Sequence, residues 1–134
     1  MLLGNGTPEY KAVLQNAAEN IGVSDSVIFC GGVHNVCDYL SAFDVFAFPS
    51  LREGTPLALL EAQSNGLPCI ISEYVPADAQ LTDLVQVIPL ENREGWVNSL
   101  CGGKRTYLDY SEDIAARGYH AKDAYLPIYQ TYRR

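Results

Sequence analysis

The feature that most limits the fold is a pair of short apolar runs without polar alternation, DVFAFPS at residues 44–50 and PCIIS at residues 68–72. Successive side chains of a strand point to opposite faces, so a strand with one wet face alternates apolar and polar residues. A run that does not alternate predicts a strand covered on both faces. Such cover needs helices, and the sequence between and around the two runs supplies them. LALLEAQS at residues 57–64 is rich in helix formers and is closed by Asn65, Gly66 and Pro68, with Thr55 expected as the N-cap and Pro56 in the first helical position. Upstream, MLL reads as the tail of a strand and GNG as a turn. Residues 8–20 read as a helix with Pro8 at its start, Gly22 past its end, and Tyr10, Val13, Leu14, Ala17 and Ala18 on one face.

The same alternation continues. SVIFCGG predicts a strand, NVCDYLSAF a helix, EYVPADAQLTD a loop or short helical turn, and LVQVIPL a last strand. NREGWVNSL predicts a helix, and residues 111–132 a helical tail broken at Gly118 and Pro127, with Tyr119, Tyr125, Tyr129 and Tyr132 packing it. Strands and helices in this order predict a right-handed, parallel, three-layer α/β sheet of Rossmann type, with residues 1–134 as one domain. Ligands of such sheets gather outside the carboxyl ends of the strands. Residues 4–6, 31–34, 49–56 and the stretch from Ser72 onward are therefore expected to share one edge.

Composition narrows the function classes. A net charge of −7, with basic residues scattered apart from Lys104–Arg105 and Arg133–Arg134, gives no face that would track a nucleic-acid backbone. No apolar run approaches the ~18 residues of a membrane span, and the N-terminus does not resemble a secretory signal, so a cytoplasmic location is expected. Cys30, Cys37, Cys69 and Cys101 contain no C-x-x-C pair and read as buried free thiols. No histidine and acid cluster suggests a catalytic metal. GNGTPE lacks the third glycine of a dinucleotide fingerprint, and Ser50 lacks the G-x-S-x-G elbow of a hydrolase.

The stretch PSLREGTPLALLEAQSNGLP at residues 49–68 places one carboxylate, Glu53, just before a helix start, and a second, Glu61, about 7 to 8 Å along that helix from Pro56. Backbone N–H groups at a helix start, next to a glycine that permits close approach, suit a phosphate. An ionised carboxylate accepts two hydrogen bonds and so matches a vicinal diol. Phosphate between two diols describes a sugar nucleotide. The plainer reading of the same spacing is a pair of solvated glutamates, with Glu53 complementing the helix dipole.

FCGGVHNVCDYLSAFDVFAFPSLREGTPLALLEAQSNGLPCIIS, with its E-x7-E from Glu53 to Glu61 inside PS-x-x-EG-x-P-x-x-x-x-EA-x-x-x-G-x-P, resembles the donor-binding half of family-4 retaining glycosyltransferases of the two-lobed GT-B fold. The resemblance covers residues 2–72 most clearly. It implies that Glu53 contacts hydroxyls of the transferred sugar as the catalytic-site carboxylate and that Glu61 holds the ribose. It also implies that the backbone of Gly54, Thr55, Pro56 and Leu57 faces sugar and diphosphate, and that Gly32 and Val33 receive the base. The resemblance further implies a nucleotide-diphosphate sugar as donor, with no cofactor and no metal. The family's diphosphate-binding arginine and lysine, its acceptor lobe and the first strand of this lobe have no counterpart in the 134 residues, so a preceding lobe or a partner chain is expected to supply them. That lobe could attach the enzyme peripherally to the inner membrane.

Charge magnitudes point the same way. A helix terminus offers an anion about 0.3 to 1 kcal/mol, or ~2 when partly buried. A carboxylate ~6 Å from a phosphate charge, at an effective dielectric of ~20, opposes it by about 3 kcal/mol. The chain alone is therefore expected to bind donor weakly and to transfer nothing, although Arg52 could help. The expected activity is sugar transfer to an acceptor hydroxyl in polysaccharide assembly. The alternatives are a non-catalytic or split GT-B half that acts as a binding module, and a UDP-sugar epimerase-like domain.

Overall fold

Each apolar run forms a strand, and every strand pairing is parallel among the described residues, 1–105 and 108–120 of this computed structural model. The chain divides into two units, Met1–Val36 and Cys37–Arg134.

In the first unit, β1 (Leu2–Leu3) lies parallel to β2 (Phe29–Gly31), and Gly4 donates its N–H to the Gly31 carbonyl at 2.9 Å just past the strand ends. Between them runs α1 (Pro8–Asn20), with the bounds the sequence predicts. Thr7 caps it, its hydroxyl accepting the Tyr10 N–H at 3.3 Å, and Pro8 occupies the first turn, where no acceptor is needed. Of the five apolar residues expected on one face of α1, Ala18 is buried and Leu14 half-buried, while Tyr10 and Val13 are each 60% exposed.

In the second unit, α2 (Val36–Ser41) leads into β3 (Phe46–Phe48). Then follow α3 (Leu57–Ser64), β4 (Cys69–Ile71), a 3-10 turn at Ala77–Ala79, β5 (Val85–Val87), α4 (Arg93–Gly102) and α5 (Ser111–Ile114). The sheet order is β3-β4-β5, with Phe46 opposite Cys69 and Cys69 opposite Val85. All three residues of β4 are buried, as an unalternating central strand requires, and Leu59 and Leu67 are fully buried beside it. Each such side chain contributes about 1.5 to 3 kcal/mol through area removed from water. A further cluster of Leu60, Leu81 and Ile114 carries α5 into the core.

Several expectations need correction. β3 is covered only in part: Phe46 and Phe48 are half-buried and stack at 5.5 Å between ring centroids, but Ala47, which points to the opposite face of the strand, is exposed. Pro56, with ψ of 83°, is the N-cap of α3 and not its first helical residue. Thr55 does not cap the helix; its carbonyl accepts the Leu57 N–H at 3.0 Å. The four cysteines are free, yet only Cys69 is buried; Cys30 is half-buried, and Cys37 and Cys101 stand on exposed helix faces. The tail is broken at Gly118, with φ of 92°, as its composition predicts. Tyr119 is exposed, and Tyr125, Pro127, Tyr129 and Tyr132 lie outside the described residues.

Candidate functional site

The carboxyl ends of β3 and β4 lie side by side, and the loop that leaves β3 runs directly into α3. Ser72, immediately past β4, is fully buried. Its N–H donates to the Phe48 carbonyl at 3.2 Å, and its hydroxyl makes a short hydrogen bond to the Ser50 carbonyl. This ties the start of the loop to the neighbouring strand. Ser50 in turn donates its hydroxyl to Glu53 Oε1 at 2.6 Å, and Glu53 is half-buried. The first candidate carboxylate is therefore built into the loop.

Beyond it, Gly54 and Thr55 are exposed, and their N–H groups find no backbone acceptor among the described residues. A Cβ on Gly54 would meet nothing within 4 Å, so the fold does not itself require glycine there. Pro56 is buried, and Leu57, Ala58 and Glu61 are the exposed residues of the first turns of α3. The opposite side of the helix, Leu59, Leu60, Ala62 and Gln63, is buried. Residues i, i+3 and i+4 share a helix face, so Glu61 stands on the face that begins at Leu57 and Ala58. Neither Glu53 nor Glu61 is drawn into an ion pair among the described residues. Glu53 is thus the half-buried member of the loop, and Gly54, Thr55, Leu57 and Glu61 are exposed along the loop and the outer face of α3.

Two side chains that sequence reasoning did not single out hold that helix in place. Gln63 is fully buried and uses all of its amide. Nε2 donates to the carbonyls of Leu59 at 3.3 Å and Ala79 at 2.8 Å, and Oε1 accepts from the N–H groups of Leu81 at 2.9 Å and Thr82 at 3.0 Å, and from the Thr82 hydroxyl at 3.1 Å. Arg105 donates Nη1 to the carbonyls of Leu40, Ser41 and Phe43, at 2.9, 2.8 and 2.9 Å, and Nη2 to the Asn65 carbonyl at 2.9 Å. A guanidinium at the ends of α2 and α3 satisfies terminal carbonyls and meets the negative end of both helix dipoles. Only the odd position of a glutamine among apolar neighbours in LALLEAQS could have signalled the first; nothing local marks Arg105.

Gly32 and Val33, expected to receive a base, belong to the other unit, past the end of β2. The space above Gly32 is filled by the Asn5 side chain, with which a Cβ at Gly32 would collide. The same unit contains a cleft of ≈ 290 Å³ whose lining includes Leu3, Asn5, Tyr10, Lys11 and Phe29. His34 is exposed. No group of three His, Cys, Asp or Glu side chains among the described residues is placed to hold a metal, and no helix among them is long and apolar enough to cross a membrane.

Comparison with known proteins bears on the family and the fold. Residues 1–102 match the family described as "Glycosyl transferases group 1". EpsF of Bacillus subtilis (strain 168), which carries a glycosyltransferase name, is 33% identical over 140 residues, covering 96% of this chain and 35% of EpsF. The UDP-Gal:alpha-D-GlcNAc-diphosphoundecaprenol alpha-1,3-galactosyltransferase of Escherichia coli is 46% identical over 57 residues, 42% of this chain and 15% of that enzyme. The crystal structure of WaaG, a glycosyltransferase involved in lipopolysaccharide biosynthesis, superposes with a TM-score of 0.59 at 23% identity, over 84% of this chain and 28% of WaaG. The chain thus spans about a third or less of these relatives, and its parallel α/β architecture is that of part of the GT-B fold of WaaG. With the family match over residues 1–102 and the EpsF identity along nearly the whole sequence, the chain belongs to the group 1 glycosyltransferases.

Proposed function

We propose that this chain is the nucleotide-sugar-binding part of a retaining glycosyltransferase that builds a bacterial polysaccharide on the cytoplasmic side of the membrane. The observation that carries the reading is the Glu53 carboxylate held by Ser50, followed along the chain by exposed Gly54 and Thr55, whose N–H groups find no backbone acceptor among the described residues, and by the exposed carboxylate of Glu61 on α3. Glu53 accepts hydrogen bonds from hydroxyls of the transferred sugar, Glu61 accepts them from the ribose, and the backbone from Gly54 to Leu57 faces the diphosphate between them. The involvement of WaaG in lipopolysaccharide biosynthesis supports a product of that class.

The acceptor site and the cations that stabilise the departing diphosphate come from the remainder of a longer enzyme or from a partner chain. The 134 residues alone therefore bind donor weakly and turn over no substrate.

Calorimetry with UDP, UDP-galactose, GDP and GDP-mannose tests the reading. Glu61→Ala is expected to weaken nucleotide and sugar nucleotide alike. Glu53→Ala is expected to remove only the increment due to the sugar, each by about 10- to 100-fold, the worth of a hydrogen bond to a charged group. Equal effects of Glu53→Ala on the nucleotide and its sugar would overturn the assignment, as would sugar transfer by the 134-residue chain alone.

A further inference from the structure

We propose that Ser50 is a positioning residue whose hydroxyl fixes the plane of the Glu53 carboxylate, so that the site reads a vicinal diol of the sugar with a preset acceptor. The inference rests on the donor-binding reading of Glu53 given above.

The two candidate carboxylates are built differently. Glu61 is exposed and accepts no hydrogen bond within the chain among the described residues, whereas Glu53 is half-buried and accepts the Ser50 hydroxyl at 2.6 Å. That distance lies in the range of an O–H donor bonded to an ionised oxygen, ~2.5 to 2.7 Å, where hydrogen bonds are strongest. The Ser50 hydroxyl has one proton and two acceptors in reach, Glu53 Oε1 at 2.6 Å and the Arg52 carbonyl at 3.4 Å. Charge and distance both assign the proton to the carboxylate.

Ser50 can orient Glu53 only if it is itself held. Its carbonyl is bonded by the hydroxyl of the fully buried Ser72, whose own N–H is bonded to Phe48, the last residue of β3. The order of support runs from the paired ends of β3 and β4, through Ser72 and Ser50, to Glu53. A carboxylate offers about four lone-pair sites, and Ser50 occupies one on Oε1. The others stay available to two hydroxyls, and their directions are set before any ligand arrives. A free glutamate would have to stop rotating on binding, which costs about 0.5 to 1.5 kcal/mol, or roughly 2- to 12-fold in affinity. Glu61 bears that cost, and Glu53 does not.

The test uses the 134-residue chain, isotopically labelled, as wild type, Ser50→Ala, Ser50→Thr and Glu53→Gln. Without ligand, three-bond couplings along the Glu53 side chain are expected to report one rotamer in the wild type and Ser50→Thr, and rotamer averaging in Ser50→Ala. Unchanged couplings in Ser50→Ala overturn the proposal. With UDP and UDP-galactose, and with GDP and GDP-mannose, as probes, Ser50→Ala is expected to reduce the sugar-dependent increment about 3- to 10-fold. Binding of the bare nucleotide stays unchanged, and Ser50→Thr recovers the increment. Loss of nucleotide and sugar nucleotide in equal measure marks Ser50 as a general support of the fold and also overturns it. If the couplings respond to Ser50→Ala while Glu53→Gln leaves the sugar increment intact, positioning stands and the donor reading of Glu53 fails.

Discussion

A fully buried glutamine contributes to stability only when its amide is satisfied, and Gln63 satisfies both ends. Replacing it with leucine, similar in volume, would strand the Ala79 carbonyl and the N–H groups of Leu81 and Thr82 away from water, each at about 1 to 3 kcal/mol. Gln63→Leu is therefore expected to lower the unfolding free energy in urea by about 3 kcal/mol or more, while a gain in stability would show that those groups find other partners. Cys69 has a distinct signature. Burial pushes its thiol up to about 12 from an ordinary 9.0. The folded state thus holds this proton more tightly than the unfolded state. The associated stability is complete below pH 9 and is lost as pH rises from about 9 towards 12. Cys69→Ala is expected to remove that part of the alkaline slope. Thiol titration at neutral pH should modify Cys37 and Cys101 in the native protein and Cys69 only after unfolding. The sequence marks Cys69 as a buried thiol through the unalternating run that contains it. The expectation of burial fails at Cys37 and Cys101, because the sequence of neither helix shows which of its faces meets a neighbour.

At the scale of elements, α2 and α3 share a cap. One guanidinium bonds carbonyls at the ends of both, so Arg105→Ala is expected to destabilise by about 3 kcal/mol, charged hydrogen bonds being worth ~1.5 to 3 kcal/mol each. Arg105→Lys should recover only part of this, because a single ammonium cannot reproduce the fork that reaches four carbonyls. Thermal unfolding of the two variants would check the order. By contrast, the cap of α4 is local: Asn92 accepts the Gly95 N–H at 2.9 Å in the sequence NREGWV. This difference explains what the sequence could and could not convey. Element types follow from periodicity and neighbouring residues, and among the described residues the strands and main helices appear where these indicate. The start of α3 was misplaced by one residue because Pro56 fits either side of the boundary, and its ψ of 83° puts it outside the helix. Arg105 and Gln63 act across 16 to 65 positions, and no pattern within a window encodes such bonds. At the candidate site the spacing of Glu53 and Glu61 was legible, but the support of Glu53 by Ser50 was not, since a serine in a loop has many possible partners.

Across the whole molecule, apolar burial is uneven. In the first unit only Ala18 is buried, and Leu2, Tyr10, Val13, Ile21 and Ile28 are all 46% or more exposed, whereas β4 and the inner side of α3 are sealed. Native-state hydrogen exchange is therefore expected to release the amides of α1 through openings of much lower free energy than those of β4. Equal protection of the two would contradict this. The sealed strand has one more consequence. A strand with a wet face has its register enforced by hydrophobicity, since sliding by a single residue exposes every apolar side chain. Cys69, Ile70 and Ile71 are buried on both faces, so sliding would exchange one greasy residue for another and meet little hydrophobic resistance. Alignment of this sheet is instead specified by polar latches at its two ends, Ser72 on Ser50 and Phe48 at one end and Gln63 on the turn before β5 at the other. The latch at the first end is also what holds the candidate sugar-reading carboxylate, so an error in strand alignment would be felt first as a loss of recognition.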